Sequence, residues 1–555
     1  VGPAALDAAT TGDDNTALGA NAMGATTTAS DNTAVGSYAM AVNTTGASNV
    51  AVGYAALDAN TTGGSSVAVG AGALTAATTG NFNVAVGHEV LKTLTTGSGN
   101  VGIGKSVLDV NTADYNVAIG YATMLANTTG AQNVAIGAYA LDANTTASNN
   151  TAVGTYALGA NTTGTRNAAV GWATLDAATT ASDNTALGFQ ALSAVTTGSY
   201  NTGVGSYSGD AITTGTHNTA IGQASGTAIT TGGYNTSVGS QSFTVNTTGT
   251  ENVSVGYAAL DANTTASYNV AIGSAALSAN TTGGSNIAIG AAALDANTTA
   301  SNNTAVGGAA LGANTTGSEN VAVGTYALDA NTTASNNTAV GYAALSANTD
   351  GTANTAVGMQ ALVLVSTGNN NTAVGYLAGD ALTTGEGNVA IGKTALSAVT
   401  TTSYNVAVGL DALAATTGTG NTAVGQSALA TNTSASYNTG IGYSALGNNT
   451  TGTDNVGVGY KALNANTTAS ENTAVGDSSL LLNTTGAYNT ALGYFTLKAN
   501  TTANNNTAVG HAALQANTTG TNNVAIGAGA LDANTTTTGS VAIGADALTA
   551  SYANT

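Results

Sequence analysis

A glycine preceded by Val, Ile or Leu recurs every 17 residues from Gly2 to Gly544, and any fold for this chain must satisfy that spacing. The step shortens to 16 only between Gly104 and Gly120 and between Gly409 and Gly425, which gives 33 copies with no linker or change of composition. Taking each such glycine as position zero, the copy starting at Asn49 reads N-V-A-V-G-Y-A-A-L-D-A-N-T-T-G-G-S. Asn usually stands at −4, Val or Thr at −3 and an aliphatic residue at −1. Position +4 is Leu, Met or Phe in 30 of the 33 copies, and position +6 is mostly Ala.

Positions −3 and −1, and again +4 and +6, alternate with their neighbours, and period two is the signature of a strand. The repeat therefore predicts two short strands per coil, about −4 to −1 and +2 to +6. The first turn falls at the zero glycine, for example Gly36, Gly53, Gly70, Gly87, Gly137 and Gly154, where a missing Cβ permits unusual backbone angles. The second is the N-T-T-G segment, which has turn chemistry. Gly, Asn and Thr interrupt every helical window, and collagen would need Gly at every third residue with abundant Pro.

A 17-residue unit cannot bury its own apolar side, whereas stacked copies can. The expected fold is all-β: a parallel β-solenoid of about 33 coils, continuous over 1–555. At the usual strand spacing it would form a rod of roughly 160 Å. The expected core ladder is Val52, Leu57, Val69, Leu74, Val86, Leu91, Ile136 and Leu141. In three copies Gly209, Gly226 and Gly379 replace the +4 residue, and Ile212, Ile229 and Leu382 appear three residues later. These read as compensated coils in which the apolar layer stays filled.

Composition limits the function. Lys and Arg total 6 against 26 Asp and Glu, a net charge of −20, which repels nucleic acid and anionic membrane surfaces. Cys is absent, which excludes disulfides and thiolate zinc sites. No apolar run is long enough to embed the chain in a bilayer as a helix. The three His residues (His88, His217, His511) are far apart, and no nucleophile–base pair stands out. The expectation is a non-enzymatic protein with no catalytic residues, cofactor or metal.

Some columns could still carry contacts. Tyr clusters at +1, +2 and −5, with Tyr54, Tyr121, Tyr139 and Tyr156 as interface candidates, since Tyr is enriched at interfaces. Asp recurs at +5, for example Asp58 and Asp142, and reads as solvated surface charge. The N-T-T segments, such as Asn43 to Thr45, Asn60 to Thr62 and Asn144 to Thr146, are formal glycosylation sequons. The preferred reading is turn residues that form hydrogen-bonded ladders between coils.

The segment Ser540-Val541-Ala542-Ile543-Gly544, with near-copies at Asn133 to Gly137 and Asn286 to Gly290, resembles the head repeats of trimeric autotransporter adhesins. It is also similar to repeats of phage tail fibres and bacterial surface proteins. The resemblance covers the chain repeat by repeat, although those head repeats are shorter. It implies a left-handed β-roll, secretion, homo-oligomerisation and adhesion. The chain is expected to be a segment of a longer fibre protein at the cell surface or on a virion. The leading function is the structural and adhesive shaft of an extracellular fibre or surface appendage. Its expected partners are copies of itself and a host, prey or surface receptor. A phage tail-fibre shaft is the runner-up. An ice-binding solenoid ranks third, because its adjacent Thr residues lie in turns instead of alternating along a strand.

Overall fold

The structure, a computed structural model, describes residues 1–549. The chain divides into two compact units, Val1–Thr282 and Gly283–Thr555. The first holds the strands β1 (Thr16–Leu18) to β16 (Val270–Ile272), and the second β17 (Ile287–Ile289) to β32 (Val541–Ile543). No helix occurs among the described residues. Within each unit, strands pair in parallel with their sequence neighbours and in register. Thr33 lies beside Val50 and Val50 beside Val67; Thr338 lies beside Thr355 and Thr355 beside Thr372. Each unit is thus an all-β parallel solenoid that winds one coil per repeat.

Each coil contains one strand instead of the expected two, covering positions −3 to −1, as in Val50–Val52, or −3 to +1 in the three strands Val84–His88, Val101–Lys105 and Val117–Tyr121. The segment from +2 to +6 forms consecutive turns, because residues at +2 and +4 adopt left-handed angles (Ala55 at φ 50° and Leu57 at φ 53°). These angles curl the chain so that +3 and +4 both face inward; Ala56 and Leu57 are both buried. A strand cannot turn two successive side chains to one side. The segment still bonds between coils, with Leu57 N–H donating to Ala73 C=O at 2.9 Å and Ala59 N–H to Thr75 C=O at 3.0 Å.

The phase of the strand also differs from expectation. Positions −4 and −2 face inward (Asn49 and Ala51 are fully buried), whereas Val50 and Val52 face outward. The interior behind the strand is too thin for a branched side chain, and −2 carries only Ala, Gly or Ser, as at Ala51, Gly102 and Ser237. Of the expected core ladder, Leu57, Leu74, Leu91 and Leu141 are buried. Val52, Val69 and Val86 are half-buried on the outer face of the strand, and Ile136, on the same face, is 38% exposed. Position +6 is also outside the core, since Ala59 is half-exposed.

The six expected turn glycines lie at φ between 131° and 138°. A Cβ on Gly53 would stand 2.5 Å from the carbonyl oxygen of Gly70 in the next coil, so backbone angle and close approach both demand glycine. The three variant coils keep this backbone: Gly209 holds φ 59°, close to the value of a +4 leucine. Ile212, Ile229 and Leu382 are buried, and Ile212 Cδ1 lies 3.0 Å from where a Gly209 Cβ would be. The layer is filled with no break in register.

Two buried asparagine columns close each coil. Asn49 at −4 donates from Nδ2 to Gly63 C=O at 2.8 Å, and its Oδ1 accepts the Ser66 N–H of the next coil at 2.9 Å. Asn60 at +7 donates to the same Gly63 carbonyl at 2.9 Å and to Asn43 Oδ1 at 2.8 Å. Buried amides are tolerable only when paired in this way. The 16-residue coil loses its residue from the turn between these columns, and Asn100 simply donates to Ala113 C=O, 13 residues on instead of 14.

Candidate functional site

With −2 turned inward, the outer face of the strands is a band of −3 and −1 side chains. Position −1 is Val, Ile or Leu in all 32 strands, and −3 is Val, Ile, Thr or, once, Ala. Neither position carries a charge. In each unit sixteen strands make a band of roughly 75 Å by 10 Å, about 750 Å². Thr stands at −3 in about half of the strands, so the aliphatic part is smaller, a continuous −1 column widened wherever −3 is Val or Ile; lone soluble proteins seldom expose apolar patches beyond ~300–600 Å² without a use for them. Sequence reasoning missed this band by assigning the aliphatic columns to the core. The signal available was the restriction of −2 to small residues.

The edge that follows the zero glycine carries the aromatic residues. Of the four tyrosines singled out above, Tyr121, Tyr139 and Tyr156 meet across successive coils; ring centroids are 5.4 Å apart for the first pair and 5.3 Å for the second. Tyr54 lies elsewhere and packs edge-on against Tyr38 at 6.2 Å. The next three coils extend the same edge with Trp172, Phe189 and Tyr207, at 5.0 and 5.3 Å. On the opposite edge, at −5, Tyr200, His217 and Tyr234 stack at 4.8 and 4.6 Å. A shallow recess of about 470 Å³ lies beside Tyr234, Glu251 and Val253.

Apart from the exposed Asp7, the +5 aspartates are half-buried instead of solvated. Burial pushes the carboxyls of Asp58, Asp142, Asp176, Asp210, Asp261, Asp295, Asp329 and Asp380 above their ordinary range. One carboxylate oxygen each of Asp210, Asp329 and Asp380 is buried with no hydrogen-bond partner. Elsewhere Arg166 grips Asp183 of the next coil through two bonds of 2.6 and 2.8 Å, which lowers the Asp183 pKa. Lys92, 2.8 Å from Glu89, lowers that of Glu89. Among the described residues no three His, Asp or Glu side chains converge as metal ligands would.

The sequon asparagines Asn43, Asn60 and Asn144 are buried with their amides engaged in the +7 ladder, so a glycan there is incompatible with the folded coil. No family model matches the chain, and no curated protein matches it.

Proposed function

We propose that this chain is the structural and adhesive shaft of an extracellular fibre or cell-surface appendage, in which copies associate side by side through their strand faces. The observation that carries this reading is the charge-free band on every coil, aliphatic at −1 and aliphatic or Thr at −3 but for Ala168, which a lone chain leaves in water. Each unit's band approaches the ~800 Å² per partner of an ordinary stable interface. A second copy offers the same coil spacing, so its side chains interdigitate rung for rung, and the absence of charge on the band spares two acidic chains from direct repulsion. Sedimentation velocity and electron microscopy of the purified chain test this. Association of several chains into thin particles is expected, and dispersal to monomers in the variant Val67→Lys/Val134→Lys/Val389→Lys/Val456→Lys, which charges the outer face of both units. A wild-type protein that stays monomeric at micromolar concentration would overturn the reading.

One observation favours a second reading. Four successive strands place Thr185, Thr202, Thr219 and Thr236 on the outer face, beside Leu187, Val204, Ile221 and Val238. A flat lattice of hydroxyl and methyl groups suits ice binding, and it lies on strands, where the turn threonines do not. Freezing hysteresis in the purified protein would favour this reading over lateral association.

A further inference from the structure

We propose that the aromatic strip of the first unit, Tyr121–Tyr139–Tyr156–Trp172–Phe189–Tyr207, binds a neutral, extended polysaccharide chain laid along the coils. This deepens the adhesive part of the proposed function by naming a ligand class, and it rests on that reading.

The strip is the longest unbroken aromatic run at these positions. Six successive coils from Gly120 to Gly205 each place one ring at +1 or +2, whereas elsewhere along the chain no more than two successive coils do so without a gap. The five steps between its ends cover about 24 Å. Five of the six rings are 39–47% exposed although Tyr121, Tyr139 and Tyr156 meet one another, as do Trp172, Phe189 and Tyr207, so the strip is not a buried packing layer.

Its chemistry selects the ligand. Every residue at +1 and +2 in these six coils is uncharged; beside the rings stand only Ala122, Ala138, Thr155, Ala173, Gln190 and Ser206. Tyr139 and Tyr156 are nearly parallel, as are Trp172 and Phe189, at 4° and 13°. Stacked rings cover each other's faces and offer edges, whose C–H groups are the positive part of the ring quadrupole. Four phenol hydroxyls and one indole N–H lie on the same row. Tyr121 and Tyr207, at opposite ends, are turned by 78° and 71° from their neighbours and complete the row as platforms. The strip therefore offers apolar ring surface, edges that favour oxygen, and hydroxyls that donate and accept, in a line without charge. A neutral glycan presents the complement: apolar C–H faces, ring oxygens and hydroxyls in a linear repeat. Acidic glycans are disfavoured by the net charge of −20.

Trp172 is the only tryptophan in the chain, so its emission reports on this strip alone. The experiment titrates the full chain with dextran, laminarin, mannan and xylan, and with hyaluronan and alginate as acidic counterparts. Trp172 fluorescence is read alongside retardation in gels that contain each polymer. The expected result is a saturable fluorescence change and retardation with at least one neutral polymer and none with the acidic ones. Retardation should weaken about tenfold in Trp172→Ala and vanish in Tyr139→Ala/Trp172→Ala/Phe189→Ala, as expected of aromatic anchors. Unchanged circular dichroism shows that these surface variants still fold. No response to any neutral polymer, equal response to acidic ones, or retardation indifferent to the triple variant would overturn the proposal. Dispersal of the wild-type particles by Tyr139→Ala/Trp172→Ala/Phe189→Ala would also overturn it, by assigning the strip to contacts between copies. Particle formation by the wild-type chain is measured separately, so the shaft reading can stand while this one fails.

Discussion

At the level of single residues, two kinds of glycine separate cleanly. Gly53 sits at φ 138° with the next coil's carbonyl 2.5 Å from its would-be Cβ, whereas Gly308 meets nothing closer than Thr325 Cγ2 at 3.9 Å. Gly53→Ala is therefore expected to cost ~3 kcal/mol or more, the upper range for strain of this kind with a clash added. Gly308→Ala, on a half-buried position with room for a Cβ, should stay within ~0.5 kcal/mol of wild type. Denaturant midpoints of the two variants check the contrast. The asparagine columns make a second case. Asn144 accepts from Asn161 at 3.0 Å and donates to Asn127 at 2.7 Å. Asn144→Ala leaves Asn127 Oδ1 buried without its donor and removes one of the two acceptors of Asn161 Nδ2, which keeps Gly164 C=O, a loss of ~1–3 kcal/mol. The native chain already shows what ends such a ladder: where Ala178 and Val365 follow Asn161 and Asn348, the asparagine oxygen below has no partner.

At the level of the coil, the 17-residue period alone fixed the architecture, because only stacked equivalents can bury a unit this short. The in-register pairing of Val50 with Val67 is the spacing of the glycines made physical. What was not legible was the direction of the side chains. Val at −3 and −1 looks like core by hydrophobicity, yet the coil is so thin that Ala51 fills the space behind the strand. Leu57 could be placed correctly because it is the one large apolar residue of its half-coil. The second strand was misread because alternation at +4 and +6 imitates a strand, and nothing in Ala55 or Leu57 announces a left-handed backbone, a conformation ordinarily left to Gly and Asn. Of the candidate surface, the tyrosine columns were visible in the sequence and the aliphatic band was not. Two predictions belong here. Leu57→Ala opens a void in a fully packed layer and should cost about 2–5 kcal/mol by chemical denaturation. Removal of one whole coil, residues 37–53, rejoins equivalent positions and should leave a folded protein. Removal of residues 37–44 shifts every later column against the earlier ones, and its circular dichroism should show loss of structure around the join.

For the molecule as a whole, the eight +5 aspartates from Asp58 to Asp380 whose carboxyls burial raises set the response to pH. Their folded-state pKa values are raised by burial, so the folded chain holds more protons than the unfolded one between the ordinary carboxyl range near 3.8 and the raised folded values. Stability should therefore rise as pH falls from 7 through those raised values, level off below the ordinary range, and decline again as pH climbs back. Glu89 and Asp183 act in the opposite sense, but both are paired near the surface, where such pairs contribute little. Thermal melts at pH 7 and at pH 4 check the sign; a lower midpoint at pH 4 would contradict it.

Within each unit, the described strands touch only the strands one repeat before and after them in sequence. Winding therefore never has to wait for a distant part of the polymer. Once a pair of coils has left a ribosome or a narrow pore, it can lock together while the remainder is still threaded, and each later turn lays itself on a template already in place. A chain built in this way can mature at the pace of its own delivery, and its final length raises no new obstacle to reaching the native state.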